Sequence, residues 1–244
     1  MRKKYSTYCF KIVIFILFIF VITSCGQSSQ EVPKTVTTPQ KQVADAKKEE
    51  KKIPVDPNIM IPLDRITITH RAELMTSKGR IVLGLYGKDA PKAVENFIGL
   101  AKKGYYNGIK FHRTATNFLI QAGDRLTRNS RRMEDWGTGG ESIFKKEFED
   151  ELDTETPSYK IGYIKGTLAM ANRGPNTNKS QFFICLEEAE KLEHNWTIFG
   201  RVLEGMDIVE LISSVRVFPS SRGADDGIPR KPIIIHWVKV RKAG

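Results

Sequence analysis

The chain has 244 residues, 40% of them hydrophobic and 27% charged, which suits one or two globular domains and excludes a disordered or multi-span membrane protein. The formal net charge is +11, but Arg2, Lys3, Lys4 and Lys11 supply four of those charges and no basic cluster marks a nucleic-acid binder. Cys9, Cys25 and Cys185, without CxxC or Cys/His spacing, exclude a disulfide scaffold and a zinc-folded domain.

Residues 1–11 are basic, and Ile12 to Ile22 is an unbroken apolar run. Its length as a helix is roughly 16 Å, about half a hydrocarbon core, so it reads as the h-region of a leader and not as a spanning helix. Ile22-Thr23-Ser24-Cys25 follows and resembles the lipobox of bacterial lipoprotein signals. The resemblance implies removal of residues 1–24, lipidation of Cys25, and a domain held by its lipid on a cell-envelope membrane, outside the cytoplasm. Residues 25–61 are rich in Ser, Gln, Thr, Lys, Glu and Pro and lack aromatics, the composition of a disordered tether. Such a tether has an end-to-end distance of about 30–35 Å.

From residue 62 to 244 the pattern is that of a folded domain. Arg65–Thr69, Ala72–Thr76 and Arg80–Tyr86 alternate as strands do. Ala90-Pro91 opens a helix with Val94, Phe97, Ile98 and Ala101 on one face, basic residues in its last turn and Gly104 beyond it. Further strands are expected at Lys110–Thr114, Phe118–Ala122, Thr167–Ala171, Ser180–Leu186, Thr197–Val202 and Pro232–Val240, and a second helix at Met206–Ser213. Many short strands with two helices predict a mainly β domain, closed or sandwiched.

No HExxH or GxGxxG is present. Gly174 to Ser180 lacks the second glycine a phosphate-binding loop requires, and the four histidines form no catalytic pattern. Three segments stand out instead: Phe111-His112-Arg113 with Asn117 to Asp124; Gly137 to Ile143; and Leu168 to Ile184. With Ala90–Phe97, Gly104–Gly108, Phe148–Asp150 and Phe199–Val202, they resemble the cyclophilin family of peptidyl-prolyl cis-trans isomerases from about Ile66 to Val240. The resemblance implies a closed eight-stranded antiparallel barrel capped by two helices, a groove for Pro-containing protein segments, and no cofactor or metal.

The reaction needs no bond broken. A peptide bond resists rotation by about 18–20 kcal/mol, and a site that binds the twisted X-Pro amide better than its planar forms lowers that barrier. By resemblance, Arg113 donates to the pyramidalised amide nitrogen, a task suited to a permanently charged fork of N–H groups. Gln121 and Asn172 hydrogen-bond substrate backbone, and Ala171 and Asn172 line the groove with their own. Phe118, Leu119, Phe183 and Leu192 wall the proline pocket, Gln181 supports Arg113 and the substrate backbone, and Gly137–Gly140 flanks a neighbouring pocket. Phe111, Phe182 and Ile184 read as core, His112 points away from the groove, and Cys185 reads as an inert thiol.

The match weakens over 187–196. Lys191 stands where many members carry an aromatic, which implies only weak binding of a cyclosporin-type ligand, and Trp196 stands at a groove-rim histidine. Arg125–Trp136 is longer than the short family form, and its arginines read either as a solvated loop or as a surface for acidic substrates. The alternative to an enzyme is a non-catalytic module that holds proline peptides on the cell envelope.

Overall fold

The computed structural model describes residues 63–189 and 192–244; the expected leader and tether, with Cys25, and Lys191 lie outside the described residues. Among the described residues one antiparallel sheet holds ten strands: β1 His70–Thr76, β2 Gly79–Leu85, β3 Arg113–Ala115, β4 Leu119–Ala122, β5 Thr167–Met170, β6 Phe182–Cys185, β7 Ile198–Glu204, β8 Val217–Ser220, β9 Gly223–Pro229 and β10 Ile235–Lys242. Their order is β10-β1-β2-β7-β5-β6-β4-β3-β9-β8.

The expected closed eight-stranded barrel does not form. The ladder has ten strands and two ends, β10 and β8. Lys110 bridges Ile234, flanked by hydrogen bonds from Gly108 N–H to the Ile235 carbonyl at 2.7 Å, Ile235 N–H to the Ile109 carbonyl at 2.8 Å and Phe111 N–H to the Ile233 carbonyl at 3.0 Å, but no regular ladder extends from it. The pairing stops at Pro232, which falls opposite His112 and has no N–H to donate. The hairpin β8–β9, unexpected from sequence, then adds its strands beyond β3. Arg65–Thr69 is also not a strand. Ile66 and Ile68 are spent on packing, and only Thr69 joins β2, its N–H donating to the Leu85 carbonyl at 2.9 Å.

Helix α1, Pro91–Lys102, buries Ala93, Val94, Phe97, Leu100 and Ala101, and α3 spans Met206–Ser213 as expected. Ala90 cannot cap α1 with its side chain, and Glu151 does so from afar, accepting from the N–H groups of Lys92 and Ala93 at 2.9 Å each. A third helix, α2 at Pro157–Ile161, lies in a stretch with no sequence pattern. The core sits under α1, where the rings of Tyr106, Phe182 and Phe199 lie 5.0–5.8 Å from that of Phe97.

Segment 125–136 folds into two short 3-10 turns, Arg125–Arg128 and Met133–Asp135. Asp124, fully buried, staples the segment: it accepts from Leu126 N at 2.8 Å, Gly137 N at 2.7 Å and Gly139 N at 3.0 Å. Three charge-assisted bonds to one buried carboxylate make Asp124 costly to lose. We expect Asp124→Ala to lower unfolding free energy by about 3 kcal/mol or more in urea titration; a loss below about 1 kcal/mol contradicts the staple.

Candidate functional site

Register alone assembles a two-sided sheet. Thr114 on β3 faces Ile120 on β4, which faces Ile184 on β6, which faces Leu168 on β5; all four are fully buried and the last three belong to the main core. One residue out of phase, Arg113 faces Gln121, Gln121 faces Phe183, and Phe183 faces Ala169. Side chains alternate along a strand, so the second row stands on the opposite face of the sheet. Leu119 and Cys185, paired two positions along, share that face.

The cation of this row is fixed from one side. Arg113 Nε donates to Asp226 Oδ1 at 2.9 Å and Nη2 to Oδ2 at 2.7 Å, a forked pair with side chains 20% and 13% exposed. Its guanidinium carbon lies 5.8 Å from the centre of the Phe118 ring. Burial raises the Asp226 pKa, but hydrogen bonds and charge from Arg113, then Arg222, outweigh it and hold the carboxyl below its usual range.

Beside the cation lies an apolar patch. Leu119 and Phe183 are almost fully buried in a second hydrophobic cluster with Tyr163, Ala169 and Ile198, against which Ala171, Leu192 and Trp196 pack half-buried. The Trp196 ring meets Phe183 edge-on, with centres 6.3 Å apart. Tyr163 holds this wall: its hydroxyl donates to the Trp196 carbonyl at 2.7 Å and accepts from the Trp196 N–H at 3.0 Å. Phe118, at 36% exposure, stands at the rim.

The polar side runs from Gln121 to the glycine loop. Gln121 donates to Gln181 Oε1 at 2.9 Å, and Gln181 donates to the carbonyls of Gly137 at 2.9 Å and Gly139 at 2.6 Å. Gly123, at φ 99°, lets this strand lie against Ser180; a Cβ there would strike the Ser180 carbonyl. The Asn172 side chain donates to Asp150 and to the Asn195 carbonyl, at 3.1 Å each. Among the described residues the backbone N–H and C=O of Asn172 have no partner.

Arg113, Phe118, Leu119, Gln121, Ala171, Gln181, Phe183, Leu192 and Trp196 thus come together on or beside one face, with the free backbone of Asn172 at its edge. One expectation needs correcting. Gln181 bonds Gln121 and the 137–139 loop, not Arg113; Asp226 is the residue that holds Arg113. Sequence reasoning missed Asp226, because Gly223 to Gly227 reads as a polar turn, and missed Tyr163, which sits in no pattern. Of the loop arginines, Arg125 pairs with Glu141 at 2.9 Å, Arg132 pairs with Asp135, and Arg128 donates to the Asn107 and Tyr105 carbonyls at 2.9 and 2.8 Å. A cleft of about 500 Å³ lined by Ile68, Arg71, Arg241, Lys242, Ala243 and Gly244 has no aromatic to hold a proline ring and shares no residue with this face.

Comparison with known proteins assigns this sheet, with core on one face and a cation beside an aromatic patch on the other, to a class of isomerase domains. The family model for cyclophilin type peptidyl-prolyl cis-trans isomerases matches residues 71–240, and the chain belongs to that family. It is 47% identical over 153 residues to peptidyl-prolyl cis-trans isomerase-like 1 of Homo sapiens, covering 63% of this chain and 85% of that protein. It is 43% identical over 150 residues to peptidyl-prolyl cis-trans isomerase ppi1 of Schizosaccharomyces pombe, covering 62% and 89%. The solved cyclophilin type isomerase of Cryptosporidium parvum superposes with TM-score 0.60 at 30% identity, covering 72% of this chain and 99% of that one. The same Cryptosporidium protein in the presence of the dipeptide Ala-Pro gives 0.59 at 31% identity, covering 70% and 98%. These relatives are eukaryotic, and their names carry nothing about a leader or a lipid anchor.

His112, next in sequence to Arg113, is buried beneath Gly137, and neither ring nitrogen has a partner among the described residues. Burial pulls its pKa from 6.5 down to about 4, partly opposed by the charge of Asp124. Well above pH 6.5 the ring is neutral whether the chain is folded or not; as the pH falls through 6.5 toward about 4 mainly the unfolded chain takes a proton. Stability therefore falls with pH through that window, by up to about 3 kcal/mol. Between about pH 7 and pH 4.5 the melting temperature should drop less in His112→Leu than in the wild type. Equal acid sensitivity contradicts the buried neutral ring.

Proposed function

We propose that the protein accelerates cis-trans exchange at X-Pro bonds by offering an Arg113 N–H to the amide nitrogen as the bond twists. The observation that carries this reading is the row Arg113–Gln121–Phe183, which sets a fixed cation beside a buried aromatic floor. A proline ring enters the slot of Phe118, Leu119, Phe183, Leu192 and Trp196, while the unpaired backbone of Asn172 takes the neighbouring peptide as an added strand would. Gln121, held by Gln181, presents its amide to substrate backbone. In the planar amide the lone pair of the proline nitrogen is delocalised into the carbonyl, and it becomes available to a donor only as the bond twists. A donor aimed at that nitrogen therefore favours the twisted form and neither planar one. A 10⁵-fold gain corresponds to about 7 kcal/mol of such preference. The Ala-Pro dipeptide used with the Cryptosporidium relative is the smallest ligand of this chemistry.

In a protease-coupled X-Pro peptide assay, Arg113→Ala should lower kcat/KM by about 100-fold or more. Its melting temperature should move by only a few degrees, because Arg222 still partners Asp226 at 3.3 Å. Wild-type activity in that variant contradicts the mechanism. A module that merely holds peptides binds them without speeding exchange, so the same assay excludes or supports it.

The location we propose rests on sequence: a basic n-region, an apolar h-region and Ile22-Thr23-Ser24-Cys25 point to a lipid on Cys25, a membrane of a bacterial cell envelope, and clients that fold outside the cytoplasm. Detergent phase partition of the protein from its native cells tests this. The wild type is expected in the detergent phase and Cys25→Ser in the aqueous phase; a wild type that stays aqueous contradicts the anchor. Lys191, among the reasons to expect weak cyclosporin-type binding, lies outside the described residues.

A further inference from the structure

The hairpin β8–β9 contributes no wall to the proline slot, yet it carries the carboxylate that grips the proposed donor. We infer that Asp226 is a positioning residue for Arg113: it fixes the guanidinium plane and divides its N–H groups, anchoring one edge to the protein and leaving the other for substrate. This rests on the reading of Arg113 as the donor to the twisted amide.

Strand register places the pair. Ala115 on β3 is opposite Asp226 on β9, so Asp226 lies diagonally across from Arg113, two residues along, within reach of long side chains. The planar carboxylate meets the planar fork through Nε at 2.9 Å and Nη2 at 2.7 Å, a two-point contact that fixes orientation as well as position. Nη1 has no hydrogen-bond partner among the described residues, and the guanidinium carbon lies 5.8 Å from the Phe118 ring at the rim of the slot. The cross-strand neighbour Gln121 makes no hydrogen bond to Arg113 among the described residues; its amide donates to Gln181 instead. Arg222 reaches the same carboxylate at 3.3 Å but is 54% exposed, so water screens it and Arg113 is the dominant partner.

Such a clamp has two opposed effects. The negative charge of Asp226 weakens the field that Arg113 projects at the substrate. Against this, a long side chain that would otherwise sample several rotamers is held before substrate arrives, so orientation need not be achieved during the reaction. For a donor that must meet a nitrogen only as its lone pair develops, orientation is the larger effect. Ground-state peptide is held elsewhere, by the apolar slot and the Asn172 backbone, so loss of the clamp should fall on kcat and spare KM.

The test is a double-mutant cycle in the full chain, read by the protease-coupled assay and by thermal melting. Asp226→Ala should lower kcat by about tenfold or more with KM within about twofold. The Arg113→Ala/Asp226→Ala double variant should be no slower than Arg113→Ala alone, because a positioning residue has nothing left to position. Asp226→Asn, which keeps the side-chain volume, should also lose kcat, and Asp226→Glu should recover part of it. A wild-type or raised kcat in Asp226→Ala, with Arg113→Ala inactive, overturns this inference alone. So does a further loss when Asp226→Ala is added to Arg113→Ala, which marks damage to the fold. Activity that survives Arg113→Ala overturns both this inference and the donor assignment.

Discussion

Everything about the site depends on the two-residue period of three short central strands. Ile120, Ile184 and Leu168 must lie against the core, and that requirement leaves Gln121, Phe183 and Ala169 no choice but the opposite face. Burying three such aliphatic side chains is worth about 5–9 kcal/mol, comparable to the whole stability of a domain. A slip of one residue would bury Gln121 and expose Ile120 and Ile184 together, so core packing enforces the register of the groove. The polar face is thus positioned by hydrophobic energy and needs little energy of its own.

On that face the protein separates two tasks. The apolar cluster around Phe183 offers a shallow patch, steadied from behind by Tyr163, whose hydroxyl both gives and takes a hydrogen bond at Trp196. The polar groups form two independent chains. One runs from Gln121 through Gln181 to the 137–139 carbonyls, and the other joins Arg113 to Asp226 and Arg222. Since no described bond links the chains, donor orientation and the shape of the glycine loop are set separately. Asp124 governs the loop and Asp226 the donor.

Much of this was legible in the chain itself. Residues 111–124 carry the family resemblance, and that resemblance, not alternation, puts Arg113, Leu119 and Gln121 at the groove; the two longer helices are marked by Pro91, Gly104 and apolar spacing. What was not legible has a common physical cause, distance in sequence. Asp226 lies 113 residues from Arg113 and looks like part of a turn, since neither Gly223 nor Gly227 carries an alternating apolar signal. Tyr163 and α2 fall in a stretch without periodicity, where the deciding contacts are tertiary. Gln181 donates to the 137–139 carbonyls and not to the expected partner, a choice made by tertiary contacts that no local pattern shows. The expectation of closure failed at Pro232, which has no N–H to extend the few bonds around the Lys110–Ile234 bridge into a ladder.

The most direct measurement is a crystal structure of the domain with an X-Pro peptide bound. The account predicts the proline ring against Phe183 and Leu119, Arg113 Nη1 aimed at the proline nitrogen, and Asp226 still gripping Nε and Nη2. A ring seated elsewhere, or a guanidinium turned away from the peptide, contradicts it.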